Sequence, residues 1–241
     1  RTAEDGNLFF DVLLHFGTLI SVFIIYWQDI VDMVREFFLG VAALFRPGQR
    51  TNPPPARRLV MLVIVGTLPL FLILPIKDWV EQLYYNTYFI GFALLATGAL
   101  LYLSDRLSRG KKTEKGATVV DALLVGASQA LATVPGLSRS GTTIAVGMLR
   151  GYDRSFAVRY SFLLSLPAVL GANILSLKNA VEGGIDWSML PVYLFGMVIA
   201  AVAGYFSIRL VNLLANKGKF GNFAYYCWAV GALALILSVL L

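Results

Sequence analysis

Residues 122–143 read ALLVGASQALATVPGLSRSGTT, and the fold turns on them. The 17 residues Ala122–Ser138 carry no charge, and the run ends on Arg139. An arginine at membrane depth costs roughly 2.5 to 3.5 kcal/mol on insertion scales, so it faces a partner or a wet cavity rather than lipid. Pro135 and Gly136 break a helix, and a second helix begins among Ser138, Ser140, Gly141, Thr142 and Thr143. Backbone N–H groups at a helix start bind anions, and an arginine fork grips phosphate oxygens in bidentate fashion. The segment therefore predicts a phosphate site in a helical hairpin at residues 121–150. Arg139, Ser138 and Ser140 are its centre, with Gly136, Gly141, Thr142 and Thr143 around them.

The rest of the chain supplies the membrane. It is 58% hydrophobic and 14% charged, with a mean hydropathy of +0.72, which excludes an ordinary soluble domain. Six runs of about 17 to 23 uncharged residues lie between charges: Asp11 to Asp29, Arg58 to Lys77, Gln82 to Ser104, Arg159 to Lys178, Asp186 to Arg209, and Lys219 to the end. The formal charge of +6 raises the question of nucleic acid, but its placement answers it. If residues 121–150 enter and leave on one side, that side collects 16 of the 20 Lys and Arg residues. A full crossing there would scatter them almost evenly. Excess Lys and Arg mark the cytoplasmic face, so the hairpin is re-entrant and the C-terminus lies outside. The expected class is all-α and polytopic, with six transmembrane helices plus one re-entrant hairpin.

Residues 28–45 mix Asp29, Asp32, Arg35 and Glu36 with apolar positions and predict an amphipathic helix in the interface. A proline-rich loop follows through Pro55. Faint similarity relates residues 1–110 to residues 111–241: Leu59–Ile76 answers Leu190–Ile208, and Tyr88–Ala93 answers Tyr226–Gly231. Three spans per half make these inverted repeats, with a site expected at broken helices. The second half opens with a hairpin, so the first half is expected to lack its own, and the chain to be truncated at its N-terminus.

Gln129 to Ile144, with its Pro-Gly-x-Ser-Arg-Ser-Gly-x-Thr pattern, resembles the second signature of the bacterial undecaprenyl-diphosphate phosphatases of the bacitracin-resistance type. The resemblance runs from Phe9 through the last span. It implies an inner-membrane enzyme that removes the terminal phosphate of undecaprenyl diphosphate, recycling the lipid carrier for peptidoglycan synthesis. It implies two re-entrant hairpins, a site open to the outer face, and a divalent cation, Mg2+ or Ca2+. By the same resemblance Arg139 holds the diphosphate, Ser138, Ser140 and Thr143 donate to it, and Gln129 lines the hairpin. The family's first signature, with glutamates, a Pro-x-Ser-Ser-Thr-Gly loop and a histidine, has no match in residues 1–30. The chain is thus expected to be catalytically incomplete, with metal ligands and nucleophile unknown.

Each residue also has a plainer explanation. Arg139 could snorkel to the interface, and the serines could satisfy carbonyls freed at a helix break. His15, the only histidine, is either a packing residue or a site contact; Asp11, one turn earlier, either joins it or sits at the outer interface. Asp121, Asp153 and Arg154 read as interfacial charges. Partners expected are a lipid diphosphate and membrane lipids, with an oligomer open and no nucleic acid. The competing function is a polyprenyl-phosphate transporter or flippase, since inverted repeats with broken helices are also a transporter design.

Overall fold

The computed structural model describes residues 3–44, 54–183, 185 and 187–240, and there every regular element is helical. The α-helices are α1 (Ala3–Ile25), α2 (Trp27–Leu44), α3 (Pro55–Thr67), α4 (Lys77–Gln82), α5 (Thr87–Leu107), α6 (Val119–Leu131), α7 (Arg139–Leu149), α8 (Arg154–Gly183), α9 (Leu190–Asn216) and α10 (Phe223–Leu240). Five segments are long and apolar enough to cross a bilayer: Pro55–Ile76, Thr87–Leu107, Arg154–Glu182, Trp187–Asn216 and Phe220–Leu240. A sixth results if α1 and α2, bent by 87° at their junction, count as one broken span. The protein is an all-helical, multi-pass membrane protein.

Prolines set several boundaries. The proline loop expected through Pro55 ends one residue sooner: Pro54 is extended, and Pro55 opens α3, where its missing N–H costs nothing. Residues 45–53, the rest of that loop and the end of the expected interfacial helix, lie outside the described residues. Pro69 has no N–H for the Val65 carbonyl, so α3 tightens there into a 3-10 turn in which Leu68 N–H donates to Val65 instead.

The chain packs as two compact units, residues 1–31 with 165–211, and residues 32–164 with 212–241. In the first, α1 lies on α9 through small residues. A side chain at Gly17 would strike the Met197 carbonyl, one at Gly196 would meet the Phe10 ring at 2.5 Å, and one at Gly204 would meet Ser21 Oγ at 2.6 Å. That closeness lets Ser21 Oγ donate to the Ala201 carbonyl at 2.6 Å, a bond between helices where lipid offers none. Tyr193 closes the end of this pair, its ring centroid 5.4 Å from Phe9.

The second unit carries the hairpin. Gly126 of α6 meets the Gly66 backbone of α3, and Gly91 of α5 faces Gly231 of α10. Trp228 fills the notch at Gly98 and donates from Nε1 to the Leu95 carbonyl at 3.2 Å. Tyr160 of α8 reaches the Leu62 carbonyl of α3 at 2.7 Å, inside a core with Leu62, Val125, Leu163 and Leu164 fully buried.

Charged residues gather at one end of this unit. Arg154, at the start of α8, pairs with Asp105 at the end of α5. Asp105 Oδ2 also accepts from Gly221 N at the foot of α10, at 2.9 Å. Arg58, at the start of α3, donates to the Ala117 carbonyl at 2.8 Å, and Arg159 pairs with Glu114 at 2.6 Å. Thus α5 ends where α8 begins, and the chain between them goes out and comes back.

Candidate anion site at the hairpin turn

The hairpin is held at its base by one carboxylate. Thr118 caps α6 in a capping box: Asp121 N donates to Thr118 Oγ1 at 3.1 Å, and Thr118 N donates to Asp121 Oδ2 at 3.0 Å. Lys112 Nζ donates to Oδ2 and Arg150 Nε to Oδ1, each at 2.9 Å. Asp121, read from sequence as an interfacial charge, is completely buried, with an assigned donor at each oxygen. Burial alone would raise its carboxyl; the bonds from Lys112, Thr118 and Arg150 outweigh that and lower it from 3.8 to about 2. Arg150 follows the last residue of α7, so this cluster joins the hairpin's entrance to its exit. Lys112 also exchanges backbone bonds with residues 151 and 153, pinning the 108–118 loop beside the fully buried Tyr152, whose hydroxyl is pushed upward by burial. Asp153 caps α8, accepting from Ser155 N at 3.0 Å.

The turn lies at the other end. Gly136 has φ +86°, open to glycine at little cost, and a side chain there would meet Ala93 Cβ and the Ile90 carbonyl of α5 at 2.8 Å. Its own carbonyl accepts from Thr97 Oγ1 at 3.1 Å, seating the turn on α5. Ser138 then caps α7, its Oγ accepting from Gly141 N at 3.2 Å. That bond leaves the Ser138 proton free to donate. Arg139 and Ser140 follow at the first two helical positions; both are exposed, and their side chains make no hydrogen bond or ion pair with a described residue.

Thr143 is turned inward. Its Oγ1 lies 2.9 Å from the Arg139 carbonyl, 3.2 Å from the Ser140 carbonyl and 2.6 Å from Ser161 Oγ of α8. Thr142 and Gln129 are buried, at 6% and 1% exposure, and Thr142 Oγ1 and both Gln129 amide atoms have no hydrogen-bond partner among the described residues. His15 and Asp11 belong to the other unit, and the His15 ring contacts the Asp11 main-chain oxygen at 2.8 Å rather than its carboxylate. Among the described residues no three His, Cys, Asp or Glu side chains come together as a ready-made metal cluster. Ser161 and Lys112 were passed over in the sequence; the only sign of Ser161 was a hydroxyl among Tyr160, Phe162 and Leu163.

The arrangement is a helix N-terminus carrying an exposed guanidinium and two exposed hydroxyls, which suits a phosphate-bearing ligand. The family model for bacitracin resistance protein BacA matches residues 1–233. The chain belongs to that family. Similar proteins include undecaprenyl-diphosphatases from Methanosphaera stadtmanae, 39% identical over 98% of this chain and 87% of the relative, and from Halothermothrix orenii, 41% identical over 95% and 82%. A third, from Alkaliphilus metalliredigens, is 39% identical over 98% and 86%.

Proposed function

We propose that this BacA-family protein hydrolyses undecaprenyl diphosphate to undecaprenyl phosphate and inorganic phosphate, and that the hairpin turn holds the diphosphate. The observation that carries the site is Arg139: a guanidinium with no partner among the described residues, at the first position of α7, between two exposed serine hydroxyls. Its fork would take two phosphate oxygens, with Ser138 and Ser140 donating beside it. The names and identities of the relatives support the substrate.

The finer architecture belongs to the same proposal: six spans, an interfacial α2, a re-entrant α6–α7 and inverted repeats. The meeting of α5's end with α8's start supports re-entry, since a span between them would separate those ends. The basic end, where Arg109, Lys111 and Lys115 are exposed, would face the cytoplasm, and the turn the outer half of the bilayer. This chain's part in the chemistry is to bind and orient the diphosphate and neutralise its charge.

The test follows undecaprenyl diphosphate in detergent, measuring binding and phosphate release, with Mg2+ and with chelator, for the wild type and Arg139→Ala. Hydrogen bonds to a charged group are worth about 1.5 to 3 kcal/mol, so Arg139→Ala should weaken binding at least about 10-fold. Unchanged binding would overturn the site. Binding with no release in either condition would overturn hydrolysis by this chain while leaving the site standing.

A further inference from the structure

Resting on the assignment of the Arg139 turn as the diphosphate site, we infer that Ser161 is a positioning residue for that turn, acting through Thr143. A buried hydroxyl pair carries the inference. Thr143 Oγ1 lies 2.9 Å and 3.2 Å from the Arg139 and Ser140 carbonyls, which can only accept. It also lies 2.6 Å from Ser161 Oγ, where one hydroxyl donates to the other, and either direction ties α7 to α8.

Both groups are dry, Thr143 at 2% and Ser161 at 3% exposure. The two carbonyls belong to the residues whose side chains rise toward the ligand. Ser161 sits on α8, near Tyr160, whose hydroxyl is bonded to α3. The hydroxyl pair thus ties the first turn of α7 to a helix outside the hairpin and sets the direction in which Arg139 and Ser140 project. Thr143, which the sequence offered as a phosphate donor, acts in this proposal as a strut: it is buried and bonded to Ser161 rather than exposed at the turn.

The test is a double-mutant cycle in the full chain, reading the dissociation constant of undecaprenyl diphosphate in detergent at a temperature where every variant is folded. A side-chain hydrogen bond contributes about 0.5 to 1.5 kcal/mol, so Ser161→Ala should weaken binding about 2- to 13-fold, and Thr143→Val by a similar factor. The double variant should be no weaker than the worse single one, because both remove the same bond. Thr143→Ser, which keeps the hydroxyl, should bind within about twofold of wild type.

Fold-changes that multiply in the double variant would make Thr143 an independent contact with the ligand and overturn the inference. Wild-type affinity in Ser161→Ala would overturn it as well, even if that variant melts earlier. Arg139→Ala in parallel separates the two failures: loss of binding there with none in Ser161→Ala sinks only the strut, whereas no loss in Arg139→Ala sinks the site.

Discussion

Replacing Asp121 with asparagine should destabilise the protein by about 2 kcal/mol at pH 7, and the deficit should shrink in acid. The carboxyl ionises at about 2 in the fold against an ordinary 3.8, and each pH unit of difference is worth about 1.4 kcal/mol, which gives about 2 kcal/mol for the charged form. Lys112 and Arg150 are 38% and 41% exposed and can rehydrate, which keeps the cost below the roughly 3 to 5 kcal/mol of breaking a fully buried pair. Asparagine retains an oxygen for Thr118 N, so the capping box survives and the variant isolates the charge. A depressed carboxyl contributes fully above its unfolded value and loses that contribution as pH falls toward its folded one. By linkage, about half of the difference should remain at pH 3. Unfolding by SDS titration, on wild type and Asp121→Asn at pH 7 and pH 3, reads both numbers. A gap that is the same at the two pH values, or below about 0.5 kcal/mol at pH 7, would refute the assignment of the hairpin base to this charge.

Two further outcomes are expected. Gln129→Leu removes a buried amide with no partner among the described residues, a group that costs about 1 to 3 kcal/mol; melting should hold or rise while undecaprenyl diphosphate binding weakens, and a lower melting point with intact binding would contradict both halves. In a Cys227→Ser background, Tyr85→Cys should react with an impermeant maleimide on intact cells and Lys115→Cys only after permeabilisation, and the reverse pattern would invert the proposed orientation.

Apolar run length and charge placement made the membrane class and most of the spans legible, because a bilayer imposes a minimum length and penalises each charge alone. The break at Pro135–Gly136 and the start of α7 at Ser138–Arg139 were legible for a local reason: φ, the missing proline N–H and the serine cap act within four residues. The first apolar run was less so. It contains the bend between α1 and α2, and hydropathy does not register a change of direction.

Asp121 and Ser161 mark what the sequence by itself could not determine. Along the chain Asp121 is one more charge near a helix start, and Ser161 one hydroxyl in an apolar helix. Asp121 lies 9 residues from Lys112 and 29 from Arg150, and Ser161 lies 18 from Thr143. Only packing brings them together. The residue types for the proposed anion site were written into the chain, while which hydroxyls stand exposed at the turn and which pack inward depended on the helices seated around it, since burial is set by neighbours distant in sequence.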